Sequence, residues 1–178
     1  MVSAEAIVRG NEKTLKMCEF EEIERPIVLQ LFGGEPATIA RAAQIFVGKG
    51  SLLPAVQAQA LQAGGSARDD SVTVPDGIDV NMGCPVSKIA SRGHAGADLM
   101  RDPERAVDIV KALKKANLGV PVSVKTRLGW ASEDEILRFA PLLEQAGVDA
   151  LTIHGRTKKQ GYSGQANWEM IGRVKRLI

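Results

Sequence analysis

The chain has 178 residues, enough to bury one real core, so one domain is the default. Its 23 Lys and Arg against 21 Asp and Glu give a formal charge of +2, which argues against strong bulk attraction to nucleic acid or to an anionic membrane but leaves room for a local basic face, such as Lys158 to Arg176 or Lys111 to Lys115. Two cysteines in unlike settings, Cys18 and Cys84, exclude a disulfide framework and fit a reducing, cytoplasmic location. No signal-like N-terminal run and no bilayer-spanning apolar run are seen, so no membrane role is expected.

Residues 1–24 read as helical and charged, with Asn11 placed to cap a second short helix through Cys18. Ile27 to Phe32 reads as a buried strand; Pro26 is tolerated at its start, and Gly33-Gly34 ends it. Pro36 stands in a first helical turn, and that helix runs to about Phe46. Residues 47–75 contain two glycine-bearing breaks, a soft Ala/Gln stretch with a short helix predicted over 55–63, and no clean period. Ordinary β/α connections are much shorter, so this segment reads as an insertion or flexible loop.

Order resumes with a short strand, Ile78 to Val80. Asp102-Pro103 is a strong helix start, and its helix runs to about Ala116 before Asn117-Leu118-Gly119. Pro121 opens a strand over Val122 to Lys125. Ser132 and Glu135 have capping-box spacing for a helix to Ala146, with Gly147 as its stop and Pro141 predicting a kink or late restart. Leu151 to Ile153 is a fourth strand, and Asn167 opens a last helix. Short strands, apolar on both faces and alternating with helices, predict an α/β fold with a parallel sheet and its chemistry at the carboxyl ends of the strands.

Three strand ends carry reactive or ionisable side chains. Cys84 lies in a Gly-Cys-Pro turn, where a thiol can donate a proton or act as a nucleophile; the same residue type equally suits a small side chain packed under the loop. Lys125 closes a Val-Ser-Val-Lys run, and a cation there suits an anionic or electron-rich ring, against the plainer reading of a surface lysine. His154-Gly155-Arg156 sets an imidazole and a guanidinium around a residue that permits close backbone approach, which suits a phosphate or a flavin edge. Gln30, near the end of the first predicted strand, adds a neutral donor and acceptor. Cys18 sits in an ordinary helical pattern and reads as structural. A metal site is poorly supported, since His94 and His154 stand in unlike contexts, and no dinucleotide fingerprint or phosphate loop is present.

Taken in order, MVSAEAIVRGNEKTL, RPIVLQLFG, DGIDVNMGCPVSKI, LMRDPERAVDIV, VSVKTRLGW, GVDALTIHGRTKKQGYSG and ANWEMI resemble the tRNA-dihydrouridine synthases, most closely their bacterial-type B branch, over nearly everything except residues 47–75. The resemblance implies an FMN-binding (β/α)8 TIM barrel followed by a small helical domain that helps hold tRNA. It implies reduction of the uridine C5–C6 double bond in tRNA, with FMN as cofactor and NADPH as electron donor. It places Cys84 as the catalytic acid toward C5, Gln30, Lys125 and His154 against the isoalloxazine ring, and Asn81 near flavin and substrate. Arg156, beside the His-Gly turn, is a further candidate contact. A uridine within folded tRNA must turn out into such a pocket, with basic helix faces holding phosphates.

Against that pattern the chain reads as a partial TIM barrel, lacking the first strand, the C-terminal strands with their Gly-rich phosphate loops, and the C-terminal helical tRNA-binding domain. Residues 47–75 interrupt the helix-to-strand link, and His94 and Asp98 are bulkier and more polar than the small residues expected behind Cys84. Open sheet edges and exposed apolar faces predict oligomerisation or partner chains that cover them. Two other readings stay open: a non-catalytic truncated relative without flavin, and another flavin-dependent barrel oxidoreductase acting on free pyrimidines.

Overall fold

The computed structural model describes residues 1–48, 74–85 and 94–178, so most of the predicted insertion and its short helix lie outside the described residues. Five strands form one parallel sheet in sequential order: β1 Val2–Ser3, β2 Val28–Phe32, β3 Gly77–Met82, β4 Val122–Arg127 and β5 Ala150–His154. The helices are α1 Ala4–Val8, α2 Glu12–Lys16, α3 Pro36–Phe46, α4 Pro103–Lys115, α5 Glu135–Gln145 and α6 Trp168–Lys175, with short 3-10 helices at Glu22–Glu24 and Gly96–Arg101. Parallel strands in chain order, alternating with helices, form an arc of a (β/α)8 barrel.

Helix starts follow from local chemistry. The side chains of Ser3, Asn11, Asp102 and Asn167 accept from the backbone N–H groups of Ala6, Thr14, Arg105 and Met170, satisfying donors that the first helical turn leaves free. Pro36 and Pro103 stand in first turns, where the missing N–H costs nothing. The N-terminal residues, read from sequence as helical, begin with a strand: Val2 and Ser3 pair with Leu31 and Phe32. Two residues are too few for a strand periodicity, which is why the reading missed them. Nor does Pro141 restart α5, which runs unbroken across it from Glu135 to Gln145.

Strand register divides the sheet into two chemically distinct faces, because side chains alternate along each strand. Leu31, Ile78, Val80, Met82, Val122 and Val124 lie on one face and are buried. They share one core with Ile39, Ala42 and Ala43 of α3, Ala106, Ile109, Val110 and Leu113 of α4, and Ile136, Phe139, Ala140 and Leu143 of α5. Each fully buried Leu, Ile or Val there contributes about 1.5–3 kcal/mol. The opposite face carries Gln30, Asp79, Asn81, Ser123, Lys125, Arg127, Thr152 and His154. Strands apolar on both faces were expected; the structure corrects this, since only the helix-covered face is apolar.

Two carboxylates staple the amino ends of the strands. Asp76 accepts from the Ile27 N–H at 2.7 Å and pairs with Arg25 at 2.9 Å. Asp149 accepts from the Val122 N–H at 2.8 Å and pairs with Lys114 at 2.8 Å. No described helix is long and apolar enough to cross a membrane.

Candidate active site

The polar face converges on the carboxyl ends of β2 to β5. Gln30 stands opposite Asp79 in the ladder, Asn81 opposite Lys125, and Arg127 opposite His154. Side chains from four strands are thereby brought to one rim, with the Gly83-Cys84-Pro85 turn following β3.

Asn81 shapes that turn. Its Oδ1 accepts from the N–H of Gly83 at 3.2 Å and of Cys84 at 2.9 Å, while its Nδ2 donates to Gln30 Oε1 at 3.1 Å. The Cys84 carbonyl accepts from the Ala97 N–H at 3.1 Å, so the turn is held on both sides of the cysteine. Gly83 is required for close approach: a Cβ there would lie 3.0 Å from the Thr126 carbonyl carbon. Cys84 is half-buried, in contrast to Cys18, whose thiol is buried, donates to the Thr14 carbonyl at 3.1 Å and is pushed up to about 11 by that burial. Cys18 is therefore a packing residue, and Cys84 is the cysteine at the rim.

Arg127 is the hub of the rim and was not singled out from the sequence. Only 3% exposed, it donates from Nε to the Gly83 carbonyl at 2.9 Å and from Nη1 to the carbonyls of Thr157 at 3.1 Å and Gly161 at 2.8 Å. Its guanidinium lies 5.6 Å from the centre of the Tyr162 ring. Burial pulls the guanidinium below its usual value, yet such a group stays charged. Backbone carbonyls, rather than a carboxylate, compensate it. The signal in the sequence was its spacing of two from Lys125, which puts both on one face.

His154 sits beside three cations. Burial, then Arg127, Lys125 and Arg156, depress its imidazole below the ordinary histidine value. Arg156 Nη1 lies 3.2 Å from His154 Nε2, and a guanidinium cannot accept, so Nε2 is the acceptor and Nδ1 carries the proton. Arg156 is fixed in turn by two bonds to the Gly164 carbonyl, at 2.7 and 3.2 Å. Tyr162, 79% exposed, places its ring 5.9 Å from that of His154; it is a second rim residue the sequence reading missed. Lys125 projects from the open face, and its ammonium has no ion-pair or hydrogen-bond partner among the described residues.

A row of polar groups runs from Gln30 deeper into the sheet. Asp79, 8% exposed, accepts from Gln30 Nε2 at 2.7 Å and from Ser123 Oγ at 2.6 Å. Asp79 and Ser123 also escaped the sequence reading. Behind the turn, His94 and Asp98 pair at 3.4 Å, with the His94 side chain largely in water. No cluster of three metal-ligating side chains exists among the described residues.

The rim thus offers a thiol, an ammonium, an imidazole and an oriented amide, with no carboxylate paired to Lys125, Arg127 or Arg156 among the described residues. Comparison with known proteins bears on the chain as a whole. The dihydrouridine synthase (Dus) family model matches residues 1–51 and 56–178. The chain is 40% identical over its whole length to a probable tRNA-dihydrouridine synthase 1 of Synechocystis sp., covering 43% of that protein. It is 37% identical over 99% of its length to a probable tRNA-dihydrouridine synthase of Aquifex aeolicus, covering 48% of it. It is 31% identical over its whole length to tRNA-dihydrouridine synthase B of Pseudomonas aeruginosa, covering 46% of it. The chain spans a little under half the length of these curated relatives. With nearly every residue matched by the family model, the chain belongs to the dihydrouridine synthase family.

Proposed function

We propose that this chain provides the acid and the flavin-facing rim for reduction of uridine to 5,6-dihydrouridine in tRNA, with FMN as cofactor and NADPH as electron donor, in the cytoplasm. The observation that carries the reading is the clamped Gly83-Cys84 turn on the same polar face of the sheet as Lys125 and His154.

The residues fit a flavin. An isoalloxazine ring has a polar edge of carbonyl oxygens and ring nitrogens. Gln30 keeps one N–H and one lone pair beyond those used by Asp79 and Asn81. Lys125 offers an ammonium with no partner among the described residues, and His154 offers the Nδ1 proton. Cations with no acidic partner among the described residues suit a ring that gains negative charge on reduction. Flavin, when bound, supplies the hydride. The chain's own tasks are then to orient the ring through Gln30, Lys125 and His154 and to hold a proton on Cys84 Sγ for delivery to C5 of the base. The Asn81 clamp fixes where that sulfur stands, since its backbone N–H is bonded at 2.9 Å. Asn81 and Arg156 flank the rim as candidate contacts for the substrate or the ring edge.

The test is Cys84→Ala in the full-length protein. Flavin content should be unchanged, while the single-turnover rate of tRNA reduction falls by about 100-fold or more, the usual range for loss of a general acid. Loss of flavin together with activity would return Cys84 to a packing role; full activity would remove it from the chemistry.

A further inference from the structure

The polar row behind the rim has a direction, and that direction is set at its buried end. A carboxylate accepts hydrogen bonds and has none to give; backbone N–H groups donate and cannot accept. Between these fixed ends lie two amides, each of which could be turned either way in isolation. Asp79 Oδ2 receives Gln30 Nε2 at 2.7 Å, which leaves Gln30 Oε1 to face Asn81. Asn81 Nδ2 donates to that oxygen at 3.1 Å, which leaves Asn81 Oδ1 to receive the N–H groups of Gly83 and Cys84. Every junction has one donor and one acceptor. Reversing either amide would set donor against donor or acceptor against acceptor. Ser123 Oγ, donating at 2.6 Å, occupies the second oxygen of Asp79, so the carboxylate is held from both sides.

We propose that Asp79 is a positioning residue which, acting through Gln30 and Asn81, fixes the amide polarity that holds the Gly83-Cys84 turn. It has no bond to the thiol and stands deeper on the polar face than the rim, 8% exposed. It determines which end of the Gln30 amide is presented to that face, and it keeps the Asn81 oxygen turned toward the Cys84 amide. The catalytic consequence rests on the dihydrouridine synthase reading; the relay itself does not.

The polarity argument permits a swap that a merely space-filling role does not. Gln30→Glu sets a carboxylate against Asp79 and breaks the relay. Adding Asp79→Asn restores it: the amide now at position 79 donates to the carboxylate introduced at position 30, whose other oxygen still receives Asn81 Nδ2. The readout is amide hydrogen exchange on the full chain without flavin or tRNA, so failure here leaves the proposed reaction untouched. Gln30→Glu should speed exchange at the Gly83 and Cys84 amides by about tenfold, roughly the loss of one hydrogen bond, with Val124 and Ile153 unchanged. The double variant should return both to within about threefold of the native rate. If Gln30→Glu fails to fold, recovery of a folded chain in the double variant is the supporting result. Unchanged exchange in Gln30→Glu, or no recovery in the double variant, would overturn the proposal.

Discussion

The two ends of the sheet treat charge in opposite ways. At the amino ends, Asp76 and Asp149 each take a backbone N–H at or just before a strand start and a cation, so both carboxylates are answered locally. At the carboxyl ends, Lys125, Arg127 and Arg156 have no ion pair among the described residues, and Arg127 is answered only by carbonyl dipoles. One end closes the sheet; the other keeps positive potential available. The proposed flavin-facing role draws on that asymmetry, because a carboxylate paired to Lys125 would neutralise the field there.

Three substitutions probe the comparison, from the largest expected effect to the smallest. Arg127→Lys keeps the charge but loses the fork that reaches three carbonyls, and should destabilise the chain by about 3 kcal/mol in urea unfolding. A loss below about 1 kcal/mol would mean the carbonyls find other donors and the rim does not depend on this hub. Asp149→Asn tests the amino end. Lys114, with the Val122 amide, holds the Asp149 carboxyl below the usual carboxylate range. Its contribution is therefore whole above the unfolded-chain value and fades as pH falls through the lower folded value. Since the pair is half-exposed, the substitution should cost about 1 kcal/mol or less at neutral pH, and the gap from the native chain should close in acid. A gap that persists in acid would assign the effect to packing.

Lys125→Ala should change stability by no more than about 0.5 kcal/mol, because the side chain projects from the open face. It should raise the His154 titration, followed by imidazole proton shifts, since one of the cations that depress it has gone. Burial and Arg127 act more strongly, so the value should remain below that of a free histidine. The linkage runs with the same sign. A depressed folded value favours neutral His154, so its share of stability is complete above the ordinary histidine range and declines as pH falls into the window below it. An unmoved titration would place Lys125 away from His154.

Much of the fold was legible because short-range chemistry dictates it. Asn11, Asp102 and Asn167 cap helices as their side chains predict, and Pro36 and Pro103 stand where a first turn tolerates them. Gln30, Lys125 and His154 come to one rim because they share strand parity. The site's support was less visible. Apolar β-branched residues define a strand in a short window, so the polar alternates Asp79, Ser123 and Arg127 read as interruptions rather than as a second face. Glu135 shows the same limit. Its spacing from Ser132 suggests a capping box, but burial raises its carboxyl less than the N–H groups of Ser132, Trp130 and Ala131 lower it. That wider grip depends on the path of the loop, which residue spacing does not encode. Tyr162 reaches His154 through a connection between β5 and α6 for which periodicity gives no signal.

The reach of Arg127 has a consequence for how the molecule holds together. One guanidinium collects carbonyls lying 44, 30 and 34 positions away along the chain. The bend after the third strand and the loop after the fifth therefore share a single anchor. Removing that one side chain would take a fastening from both places at once, so a change at position 127 is felt 30 and more residues away in either direction.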